Sequence, residues 1–65
     1  MGRTYRLIVE GEVSDRLEPA FEGMTFTRAE GKTTLSGYVR DQAELQGLLQ
    51  RMSDFGLTLL EVSAV

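Results

Sequence analysis

The chain has no cysteine, no histidine and no tryptophan, and one proline among its 65 residues. Without cysteine there is no disulfide framework, no thiolate nucleophile and no zinc site of the usual sulfur and imidazole ligands. Without histidine it lacks the side chain whose ordinary pKa suits proton transfer near neutral pH. Catalysis would fall to carboxylates, Lys32, arginines and hydroxyl groups. Nucleophile-elbow, Walker-type, dinucleotide-binding and Cys-x-x-Cys motifs are all missing. Glycine at position 2 also rules out a tautomerase acting through an N-terminal proline. These absences predict a protein that is not an enzyme and carries no metal or cofactor.

Long apolar runs are missing too: none approaches the about 20 residues that cross a bilayer. The opening Met-Gly-Arg-Thr-Tyr-Arg lacks the apolar core of a secretory signal, so the expectation is a cytoplasmic protein. Positive charge is the scarcer sign, with seven Lys and Arg against ten Asp and Glu, a net charge of −3 and a pI near 4.7. That balance opposes non-specific binding to nucleic acid or to an anionic membrane.

What is present is ordinary for a folded domain: 42% hydrophobic and 26% charged residues. There is room for a single domain, residues 1–65, and a chain this small buries only about 60% of the surface it exposes when unfolded. Small domains without disulfides or metals commonly gain stability by association.

The second half carries the clearest signals. Asp41 stands at an N-cap position with Glu44 three residues on, the capping-box spacing. Leu45, Leu48, Leu49, Met52 and Phe55 then recur at three- and four-residue steps, and Gly56 follows the stripe, so a helix is predicted near Asp41–Phe55. Gly47 interrupts it at a cost on the order of 1 kcal/mol. Close packing is the ordinary reason for such a glycine, and room for a ligand is the other. "LTLLEVSAV" after Gly56 reads as a strand, as does the alternating "GKTTLSGYVR", with Leu35, Gly37 and Val39 on one face and Ser36 and Tyr38 on the other.

"MTFTRAE" alternates in the same way and joins the next strand through a turn at Glu30-Gly31-Lys32. "TYRLIVE" is a further strand, with Tyr5, Leu7 and Val9 facing inward. Between Gly11 and Gly23 a short helix is expected, capped by Ser14 or Asp15, with Pro19 confined to about its first turn. The order β-α-β-β-α-β implies an α+β, ferredoxin-like fold: a four-stranded antiparallel sheet in the order 4-1-3-2 with two helices on one face. Leu59 and Leu60 are adjacent, so one must face away from the helices unless a β-bulge intervenes.

On this fold the open sheet face should present Ile8, Ser36 and Tyr38. RNA-binding sheets stack bases on two or three aromatics of the central strands; Tyr38 alone, in an acidic chain, points away from nucleic acid. An apolar patch of Ile8, Tyr38 and Leu59 would instead meet a second subunit. The last strand competes as an apolar edge through Leu59, Leu60 and Val62, with Glu61 as its only charge. A proline at Leu60 tests the edge and Tyr38→Glu the face. Glu10, Glu12, Asp15, Glu18 and Glu22 crowd one stretch without EF-hand spacing, and read as a solvated acidic surface. Gln42 has no evident structural task.

The stretch "TTLSGYVRDQAELQGLLQRMSDFGLTLLEVS", with "YRLIVEG" and "FEGM" upstream, resembles a family of short bacterial proteins of unassigned function. Their pattern is T-x-L-x-G-x-V-x-D-Q-A-x-L-x-G-L-L-x-R followed by D-x-G-L, matched here by Leu35, Gly37, Val39, Asp41, Gln42, Ala43, Gly47, Arg51 and Gly56 among others. A histidine commonly precedes the mid-helix glycine in that family; Gln46 stands there here, so a histidine-dependent role does not carry over. The topology is also similar to that of ACT domains, which bind small effectors near the first strand-to-helix turn, occupied here by Gly11. "VEGEV" resembles the acylphosphatase phosphate loop, but that family's arginine and asparagine do not follow.

The sequence therefore predicts a non-enzymatic interaction or regulatory module that forms a homodimer or meets an unidentified protein partner. The alternatives are an ACT-like small-molecule-binding module with Gly11 as its ligand turn, or the accessory subunit of an enzyme.

Overall fold

The computed structural model describes residues 2–65. Strands β1 (Arg3–Glu10), β2 (Thr25–Ala29), β3 (Lys32–Val39) and β4 (Leu59–Ala64) form one sheet. A 3-10 helix, Asp15–Phe21, links β1 to β2, and the α-helix α1, Gln42–Asp54, links β3 to β4. The sheet order is β2-β3-β1-β4, or 4-1-3-2 read from the β4 edge, and every neighbouring pair is antiparallel.

Each helix end follows from its local sequence. Asp41 is the N-cap of α1, its carboxylate accepting the Glu44 amide at 2.9 Å. Glu44 answers with its own carboxylate, but reaches the Arg40 amide, one residue before the cap. At the other end Gly56 adopts φ 73°, Leu57 N–H donates to the Met52 carbonyl and Gly56 N–H to the Ser53 carbonyl. Those two bonds are a Schellman motif, which a glycine in the left-handed region makes inexpensive. The β2–β3 hairpin turns on Glu30 (φ 55°) and Gly31 (φ 76°), with Ala29 paired to Lys32. Two positive φ values are the mark of a type I′ turn.

The first crossover departs from expectation. Its helix is 3-10, and Pro19 is its fifth residue, beyond the first turn. An α-helical Pro19 would meet the carbonyl four residues back. Shorter i→i+3 bonds, such as Leu17 N–H to the Ser14 carbonyl at 3.1 Å, avoid that clash.

Register sets the core. Leu7 pairs with Leu35 and Val9 with Thr33 across the central strands, and Phe26 lies beside Leu35 on β2. On this face Leu7, Val9, Leu35 and Val39 pack with Phe21, Leu45, Leu48 and Met52, and with Val13, which sequence alternation did not reveal. Phe21 is the aromatic centre, 6.1 Å from Phe26 and 5.9 Å from Phe55 between ring centroids. Phe55, placed on the buried stripe by its spacing, caps the helix instead and is exposed. The β1–β4 pairing shifts register between Ile8 and Val9, so Leu60 is the extra residue of a bulge and the Leu59-Leu60 conflict is resolved.

Candidate functional site

Three places carry the residues singled out above. The first is the turn after β1. Gly11 has φ 87°, its amide donates to the Gly31 carbonyl at 2.6 Å, and no neighbour lies where a Cβ would project. Below it Thr33, fully buried, accepts the Val13 amide at 2.8 Å and donates its hydroxyl to the Gly11 carbonyl at 2.7 Å. Glu12 accepts the Gly31 amide at 3.2 Å. Arg28 donates from Nε to the Val13 carbonyl at 2.6 Å and from Nη2 to Glu18 at 2.8 Å. Each buried polar group there already has a partner, so the turn is tied to the hairpin beside it. Of the five acids, Glu12 and Glu18 are spent in these bonds.

The second place is the open face. Ile8 and Tyr38 do share it, but Ile8 pairs with Thr34 and Tyr38 with Thr4, and Arg6 and Ser36 stand between them. Thr25, Thr27 and Ser63 complete a largely hydroxyl-bearing surface. Leu59 is not part of it: it pairs with Val9, on the side of the core. The patch of Ile8, Tyr38 and Leu59 is therefore not assembled, because the bulge turns Leu59 to the other face.

The third place is the β4 edge. One flank of β4 pairs with β1, and among the described residues no strand lies beside the other. Leu59, Leu60 and Val62 are all exposed there. The ladder fixes which backbone groups face outward. Val65 N–H donates to the Thr4 carbonyl, so Thr4 and Val65 form a hydrogen-bonded pair. Val62, opposite Leu7, then falls on a non-hydrogen-bonded pair, its N–H and C=O directed away from β1.

The opposite edge is guarded. β2 is five residues long and carries Arg28 on its inward face, over the Phe26 ring at 5.2 Å and pinned to Glu18. A short edge with an inward charge resists strand addition. Nothing in the sequence marked Thr33 as the buried tie of the Gly11 turn.

Residues 4–63 match the family model described as Domain of unknown function (DUF8691). The chain belongs to this family. Its match runs from within β1 to within β4, so all the elements that build the sheet, the guarded edge and the open edge lie in the DUF8691 unit. Comparison with curated proteins and with solved structures finds no match. Among the described residues no helix is long and apolar enough to cross a membrane.

Gln42 is exposed in the first turn of α1, and among the described residues its side chain has no hydrogen-bond partner.

Proposed function

We propose that this DUF8691 domain is a non-enzymatic interaction module that self-associates through β4, in a reduced version of the ferredoxin-like fold. The observation that carries the reading is the unpaired outer flank of β4, six residues with three exposed large apolar side chains and one charge. An edge of that kind is a template for another strand. A second copy of β4, antiparallel and related by a two-fold axis at Val62, would continue the sheet to eight strands. That register opposes Glu61 to Ser63 of the other copy, so no like charges meet directly. A two-fold contact of this kind is self-complementary and closes at the dimer.

The guarded β2 edge and the hydroxyl-rich open face support the choice of β4 over either. The acidic balance supports a protein partner over a nucleic acid. The same composition, without cysteine or histidine, supports a role in binding or regulation rather than in turnover. The ladder also moves the test from Leu60, in the bulge, to Val62, whose N–H faces outward. Val62→Pro should leave the β1 pairing intact and halve the mass measured by sedimentation. A dimer that persists in this variant would contradict the reading.

A further inference from the structure

At the end of the sheet away from Gly11, a pocket of about 120 Å³ lies between α1 and the segment leading into β2. Gly47 forms part of its wall, and a Cβ built there would meet nothing within 4 Å. Close packing therefore does not explain this glycine. Its helix bears the cost of a glycine, and what the chain gains is open space beside the pocket. Glu44, Gly47, Leu48 and Arg51 lie three and four residues apart, so one stripe of α1 supplies that wall.

The wall carries both signs of charge. Arg51 donates to the Ala20 carbonyl at 2.8 Å and its guanidinium lies 5.9 Å over the Phe21 ring, which leaves further N–H donors. Glu22 lines the same pocket, and among the described residues it pairs with no cation. Glu44 spends one oxygen on the Arg40 amide and keeps the other. An anion entering here would be opposed by two carboxylates, and a cation by the guanidinium. A molecule with both charges satisfies both, and Met24, Leu48 and Tyr38 complete the lining.

Size narrows the class. A cavity of ~150 Å³ accommodates benzene, so this pocket suits about six non-hydrogen atoms. We propose that the Gly47 pocket binds a small zwitterion of amino-acid size, its carboxylate at Arg51 and its ammonium at Glu22. The site is separate from β4, so it stands or falls independently of self-association.

The test is an amide-resolved NMR titration of the whole chain with β-alanine and L-alanine, using acetate and methylammonium as single-charge probes. Saturable shifts at Glu22, Met24, Glu44, Gly47 and Arg51 with a zwitterion, and weaker ones with the single-charge probes, are expected. Gly47→Leu, which fills the pocket, should weaken binding by at least about tenfold, and Glu22→Gln by about tenfold. Glu22 is exposed and outside the core, so that variant decides the matter even if Gly47→Leu unfolds. Absence of saturable shifts, equal response to acetate or methylammonium, or unchanged affinity in Glu22→Gln would overturn the proposal.

Discussion

Val62 of β4 stands directly opposite Leu7 of β1, yet Leu7 is fully buried and Val62 is 38% exposed. The two side chains lie on the same face of adjacent strands and differ only in what flanks them. Leu7 has β3 on its other side, whereas among the described residues no strand lies beyond Val62. The sheet thus stops at a row of groups that a further strand would satisfy, and a domain of 65 residues has little core of its own to spare.

Thr33 gives the clearest stability prediction. Thr33→Val keeps the shape but strands the Val13 amide and the Gly11 carbonyl, at a cost of about 1–3 kcal/mol. A chain this size has a total stability of roughly 3–10 kcal/mol, so the loss should be plain in urea melts. Thr34→Val, on the open face, should change little. Equal effects would mean that the hydroxyl of Thr33 does not hold the turn.

Most of the architecture was legible in the sequence because it was written in local rules. Asp41 and Gly56 mark both ends of α1, and Glu30-Gly31 marks the hairpin. Alternation assigned Leu7, Val9 and Leu35 to the core, and the Leu59-Leu60 pair left a choice between an outward leucine and a bulge. The remainder depended on distance along the chain. Thr33 meets Gly11 and Val13 only when β3 lies beside β1, so no spacing reveals it. The bulge carried Leu59 off the open face and dissolved the patch expected with Ile8 and Tyr38. The Gly47 pocket needs Glu22 and Arg51 brought together from different halves of the chain.

The glycines at 37 and 47 should respond in opposite directions. A Cβ at Gly37 would sit 2.6 Å from Met24 Sδ and 2.8 Å from the Gly23 carbonyl oxygen. The sulfur can move, but the backbone oxygen cannot readily do so, and Gly37→Ala should lower the melting temperature. Gly47→Ala meets nothing and should stabilise α1 by about 1 kcal/mol. On the pocket proposal, that gain comes with weaker zwitterion binding. Stabilisation by Gly37→Ala would show that β3 does not pack as described.

Asp41 predicts a pH dependence. The Glu44 amide hydrogen bond, followed by the influence of Arg40, holds its carboxyl below the usual value of 3.8. A carboxyl with a depressed pKa in the folded state stabilises the fold above its unfolded pKa, and that contribution is lost as pH falls through the folded one. The chain should therefore lose stability in acid below about pH 4. Asp41→Asn preserves a cap while flattening this part of the curve. Unchanged acid sensitivity in the variant would place the titrating group elsewhere.

Tyr38 separates the face from the edge. It is 65% exposed on the open face, with β1 between its strand and β4. Tyr38→Glu should leave both circular dichroism and oligomeric mass unchanged. Monomers from this variant would move the interface to the open face.

The mass of the wild-type chain in solution, measured by native mass spectrometry and by sedimentation over a range of concentrations, tests the central claim most directly. Association through β4 predicts twice the 7.2 kDa of a single chain, falling to the single-chain mass on dilution and in Val62→Pro. A single-chain mass at every concentration would contradict it.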